Sequence, residues 1–259
     1  MGTIRNSVNS TALTKVGTSS LTLSGTNTYS VLTKVNAGTL QVDGALTGTP
    51  SVTVFGGTLA GNGFISGTVD IQSGSILSPG ASIGQMTMTS SPQLDFGSTN
   101  IMEINKSLGT NDSVVGLASV TYGGTLMVNN LAGTLSVFDS FKLFDSASYA
   151  GAYDLLELPA LGAELFWDTS KLTVTGTIRV IRLRPAITEF GMNESNFFLN
   201  GTNGGNTSTH YIIVTATDLT VPLASWTPVV TNLFGGGNFT FTNAVNTAEP
   251  TRFYNVKTP

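Results

Sequence analysis

The stretch that decides the fold runs from Leu13 to Leu46 and reads LTKVGTSSLTLSGTNTYSVLTKVNAGTLQVDGAL. Apolar residues alternate with polar ones in it, as at Leu21 and Leu23 or Leu40 and Val42, and Gly, Asn, Ser or Thr flank each pair. A period of two is the signature of strands, and the flanking residues are those of tight turns. Further along, Val52 and Val54, Val69 and Ile71, and Leu126 and Val128 repeat the pattern. A triplet of Gly, then Thr or Ser, then an aliphatic recurs at Gly38-Thr39-Leu40, Gly57-Thr58-Leu59 and Gly74-Ser75-Ile76, about 17 to 19 residues apart. It returns at Gly124-Thr125-Leu126, Gly133-Thr134-Leu135 and Gly176-Thr177-Ile178. That spacing suits one coil of a solenoid whose aliphatics point inward. One coil cannot bury them alone, whereas coils stacked about 4.8 Å apart bury a continuous column. A generic β-sandwich is the other architecture such alternation permits.

Composition points the same way. The 259 residues carry only 10% charged side chains, a net charge of −4 and 30 glycines, while Ser, Thr and Asn make up about a third of the chain. Stacked coils favour this, because neutral side chains ladder with themselves while like charges repel. Eleven basic residues, scattered singly, form no basic stripe for nucleic acid. No apolar run reaches the roughly 18 residues of a transmembrane helix. Without cysteine there is no disulfide, zinc-thiolate site or thiol nucleophile. The start, MGTIRNSVNS, lacks the apolar segment of a secretory leader.

The opening stretch resembles the autotransporter-associated β-strand repeat of bacterial passenger domains. Leu13, Gly17, Leu21, Leu23, Gly25, Asn27, Tyr29, Thr33, Val35, Gly38 and Leu40 carry the likeness. Ser19 departs from it where a glycine is usual, and Val31-Leu32 stands where the family has a Gly-Gly turn. Residues 56–88 resemble the segment that commonly follows, with Ser78 to Gly84 as a coil corner. The resemblance implies a parallel β-helix at a cell surface and no particular activity. Such passengers are commonly followed by an outer-membrane barrel; the residues here stop at Lys257-Thr258-Pro259, which suits a fragment or another export route.

The expected architecture is all-β: a right-handed parallel β-solenoid over residues 1–182, then a small antiparallel β-sandwich over 186–259. Within the first, repeats occupy about 13–105 and a cap about 106–182. Phe138, Phe141, Phe144, Tyr149, Tyr153, Phe166 and Trp167 supply the bulk to close an open end. Alternation at Leu135 and Val137, Leu172 and Val174, and Ile178 and Val180 predicts strands there; the stretch from Asp154 to Leu165 is helical for one turn at most. Arg182-Leu183-Arg184-Pro185 marks the boundary. Beyond it, strands are expected near Ile187, Phe197–Leu199, Tyr211–Thr217, Trp226–Val230, Phe239–Phe241 and Phe253–Val256, with turns at NGTNGGN and FGGGN. Residues 223–259 resemble a small C-terminal module of bacterial surface proteins, ending in the Arg252-Phe253-Tyr254 strand.

Chemistry-bearing residues are few. His210, the one histidine, reads as a solvent-facing residue at a strand start, since it lacks the partners of a triad or a zinc site. Asp43, Asp70 and Asp95 are 25 to 27 residues apart, which does not match the coil. Asp139, Asp145, Asp154, Glu157, Glu164 and Asp168 lie among turns, where carboxylates bend and cap backbone. Asn111-Asp112 reads as a loop tip rather than a calcium site. The sequence thus offers no catalytic residue, metal site or cofactor. Trp226, Tyr211 and Tyr254 form a candidate sugar platform, because aromatic faces cover the apolar side of a pyranose; the competing role is sandwich core. The expected function is a non-enzymatic structural or adhesive protein, extracellular or at a bacterial surface, with surface glycans or other surface proteins as partners. The alternatives are a carbohydrate-binding protein using the C-terminal sandwich and a β-helix polysaccharide-degrading enzyme. Gly17, Leu21, Leu23, Gly25, Asn27, Tyr29, Gly38 and Leu40 are the structural residues of the repeat.

Overall fold

A computed structural model describes residues 3–5, 12–95, 97–182, 184–203, 210–234, 237–246, 248 and 251–258. The chain divides into two compact units, residues 1–162 with 167–181, and residues 163–166 with 182–259. The first is a parallel β-solenoid with three stacked sheets.

Short strands of two to seven residues make the three faces, and each pairs in parallel with the strand one coil away. One inward column reads Leu21, Leu40, Leu59, Leu77, Asn100, Leu126, Leu156. Another reads Lys15, Val35, Val54, Ile71, Leu94, and a third reads Asn27, Leu46, Ile65, Met88. Nearly all these aliphatics are wholly buried, each contributing about 1.5–3 kcal/mol. Along the leucine column successive partners are 19, 19, 18, 23, 26 and 30 residues apart, so later coils are longer.

The repeat residues occupy structural places. Gly17 and Gly38 take left-handed φ of 72° and 65° at a corner, and a Cβ on Gly38 would run into the Gly17 carbonyl of the coil above. The Tyr29 hydroxyl meets Thr33 Oγ1 at 2.7 Å inside the coil, and Thr33 meets Thr49 at 3.3 Å. Asn27 is buried, donating to the Gly25 carbonyl at 2.9 Å and accepting from the Ile4 N–H. Lys15 heads its aliphatic column yet is only 6% exposed. Its ammonium donates to the carbonyls of Val16, Gly17 and Ala37 at 2.8, 2.7 and 3.1 Å. Three acceptors replace the water a buried ammonium loses.

Several sequence expectations are corrected. In the third triplet Ile76 pairs with Thr58 and is only half-buried, so Leu77 takes the inward place. The stretch around Leu135 and Val137 forms no strand. Leu172–Thr175 is a helical turn, closed by Gly176 at φ 69°, whose N–H donates to the Leu172 carbonyl. Leu155–Glu157 is a strand rather than a turn of helix. Phe144 and Phe141 are buried near the closing end, where Tyr122 packs on Phe144, Tyr149 and Tyr153. Phe138 does not join them: it is 87% exposed, with a left-handed φ of 76°. The N-terminal segment 6–11, and parts of the NGTNGGN and FGGGN turns, lie outside the described residues.

The second unit has two three-stranded antiparallel sheets. One orders Ala186–Asn193, Asn196–Thr202 and Asn238–Ala244; the other orders Thr227–Leu233, His210–Ala216 and Phe253–Lys257. Leu199, Phe239 and Phe241 from the first pack on Tyr211, Ile213 and Val256 from the second. Buried residues alternate with more exposed ones along Asn196–Thr202 and Asn238–Ala244, as a sandwich requires.

Candidate functional site

The three aromatic candidates sit in three different concavities. Tyr211 is core: its ring lies 5.1 and 5.0 Å from those of Phe234 and Phe239, and its hydroxyl donates to the Thr240 carbonyl. Its rim borders a depression of about 520 Å³ with Asn232, Asn238 and Thr240. Tyr254 stacks on Phe197 at 4.7 Å, its hydroxyl accepts from Asn243 Nδ2, and it borders a cleft of about 240 Å³. Trp226 is 8% exposed, and its indole N–H donates to the Val221 carbonyl at 2.9 Å. It borders a groove of about 340 Å³ with Asp218, Ser225, Thr227 and Arg252.

His210 begins its strand on an exposed position. Asp70 and Asp95 come close across one coil, since Asp70 pairs with Gln93. Partial burial and the charge of Asp70 push the Asp95 carboxyl up. Asp43 is elsewhere, bonded by Gln41 and the Asn62 N–H. The later carboxylates hold turns: Asp154 accepts from the Gly124 N–H at 2.7 Å and Asp168 from Ser170. Asp139 accepts from the N–H and hydroxyl of Ser136 and pairs with Lys106. Burial works against its charge, but Lys106 and Ser136 hold the carboxyl below the usual range. Among the described residues no group of three or more His, Cys, Asp or Glu is placed to hold a metal ion.

Asp112 is the carboxylate that sequence reasoning misplaced. It is 1% exposed rather than at a loop tip. Its two oxygens accept from the Gly84 and Glu103 N–H groups, both at 2.7 Å, joining a corner of one coil to the long strand of the next. Burial pushes its pKa up to about 7 against those two bonds, with Glu103 adding repulsion. The tip of the hairpin is instead Leu108-Gly109. A usable signal was present: Asp112 is in phase with inward Val114.

The family model described as the passenger-associated-transport-repeat matches residues 13–42. That match covers the first coil and the first two strands of the second, where Gly17, Tyr29, Gly38 and Leu40 do their structural work. No curated protein matches the chain.

Proposed function

We propose that the chain is a non-enzymatic structural or adhesive element of a surface-exposed or secreted protein, its solenoid serving as a stiff stalk or display element. One observation carries this reading: the passenger-associated repeat coincides with a coil whose inward columns continue through the stacked coils that follow. The way the carboxylates are used supports it too. Asp112, Asp139, Asp154 and Asp168 accept bonds from backbone N–H groups at turns and corners.

Limited proteolysis followed by mass spectrometry tests the stalk. A long-lived fragment from about Leu13 to Ile181 is expected, since the strands between the two end coils are paired on both sides and little of their backbone is free to enter a protease. Rapid cutting within the coils is the contrary result. A screen for reducing ends released from acidic polysaccharides tests the non-enzymatic part, and release would overturn it.

A second reading, carbohydrate binding by the sandwich, is favoured by the groove that Trp226 lines together with Asp218, Arg252, Thr215, Thr217 and Thr227. A glycan array reads it directly: selective binding, lost in Trp226→Ala at unchanged melting temperature, supports it, and flat binding of the parent removes it.

A further inference from the structure

The sandwich is built off-centre. Phe190 and Met192, on strand Ala186–Asn193, pair with Leu199 and Phe197 and so point to the inner face. Leu199 is buried, yet Phe190 is 72% and Met192 56% exposed. The reason is the second sheet's extent. Its last strand, Phe253–Lys257, lies under Phe197 through Tyr254, and among the described residues no strand pairs its far edge. Strand Ala186–Asn193 therefore overhangs, and among the described residues no strand pairs its outer edge either. The cleft bordered by Met192, Phe197 and Tyr254 is part of the space below it.

Strand directions decide what fits. Phe239 lies against Tyr211 and Phe241 against Tyr254, and Tyr254 pairs with Thr215. Strand Asn238–Ala244 thus runs the same way as His210–Ala216. Two antiparallel steps give Ala186–Asn193 that direction too, whereas Phe253–Lys257 runs oppositely. A two-fold axis along the strands keeps every residue at its own level. It moves the overhanging strand of one copy into the space beside Phe253–Lys257 of the other, antiparallel to it. Met192 and Tyr254 share a level through Phe197, so the rotation sets Met192 of one copy against Tyr254 of the other. Phe190 then meets Val256, on the same inner face.

The charges fit that register without adjustment. Counting outward from Met192 and Tyr254, Glu189 falls opposite Lys257 and Glu194 opposite Arg252. Both acids belong to one edge strand or the turn after it, and both bases to the other edge strand or its start. Such complementarity fixes register and suppresses other pairings. We propose that a second copy of this chain docks here, forming a closed two-fold dimer with two continuous six-stranded sheets. Phe190 and Met192 of both copies become its buried centre, and both open edges are covered. The inference is independent of the stalk reading.

Sedimentation equilibrium on the full chain tests it. A monomer–dimer equilibrium is expected. Glu189→Lys and Lys257→Glu should each weaken the dimer by about tenfold or more, since symmetry turns two attractive pairs repulsive. Combining the two substitutions restores opposite charges and should recover the parent's dissociation constant. Phe190→Ser should weaken it without touching charge, and circular dichroism should show all variants folded. A monomer at every concentration overturns the proposal. So does a dimer that none of these substitutions weakens, or one that the double exchange fails to restore.

Discussion

Asn100 is the exception in a column of leucines. It lies between Leu77 and Leu126, is wholly buried, and neither amide atom finds a hydrogen-bond partner. An unpaired buried amide costs about 1–3 kcal/mol. Asn100→Leu should therefore raise the melting temperature of the solenoid, read by calorimetry; a fall would mean that the coil has no room for leucine. At Asp112 the sign is set by burial. Its folded pKa of about 7 stands above the ordinary carboxylate value, so the fold binds this proton more tightly than the unfolded chain does. The associated stability is complete below the unfolded pKa, near 4, and is lost as pH rises through about 7. Denaturant midpoints should thus increase on acidification from pH 7 towards 5, and Asp112→Asn should flatten that slope. Lys15 is a third case. Lys15→Ala takes away three hydrogen bonds and the packing of its stem, and a loss of about 1–3 kcal/mol in chemical denaturation is expected.

At the level of strands and coils, the sequence was informative where the repeat is regular. Leu21, Leu40 and Leu59 sit in register because the alternation, and for the last two the triplet, repeats at one coil length. Legibility fails where coils lengthen. The strand Thr99–Asn105 has seven residues instead of four, and its hairpin carries Asp112 away from the tip and under a corner. The helical turn at Leu172–Thr175 is illegible for another reason. Leu172 and Val174 mimic strand alternation, and the deciding feature is the left-handed Gly176 after them. Among the candidate aromatics, alternation could say that Tyr211 and Tyr254 face one side of a strand. Only the opposing sheet decides that this side is core. Two substitutions probe the coil as a unit. Leu40→Asp places a charge in the middle of the leucine column and should unfold the N-terminal coils, seen as lost circular dichroism; a variant melting like its parent would remove Leu40 from the interior. Gly38→Ala meets both the Gly17 carbonyl and a φ of 65°, and should cost about 1–3 kcal/mol.

For the whole molecule, the scarcity of charge has a consequence for its response to the medium. Ion pairs between the described residues are four, each with a half-exposed partner, whereas the coils hold together through apolar columns and backbone ladders. Electrolyte screens exposed pairs over a Debye length of about 10 Å at 0.1 M, but leaves apolar burial and backbone bonding nearly untouched. Chloride titration should therefore move the melting temperature little from low to high ionic strength, while self-association through Glu189 and Lys257 should weaken. A fold indifferent to salinity, joined by contacts that are not, would keep its shape in fresh and briny water alike and change only its company.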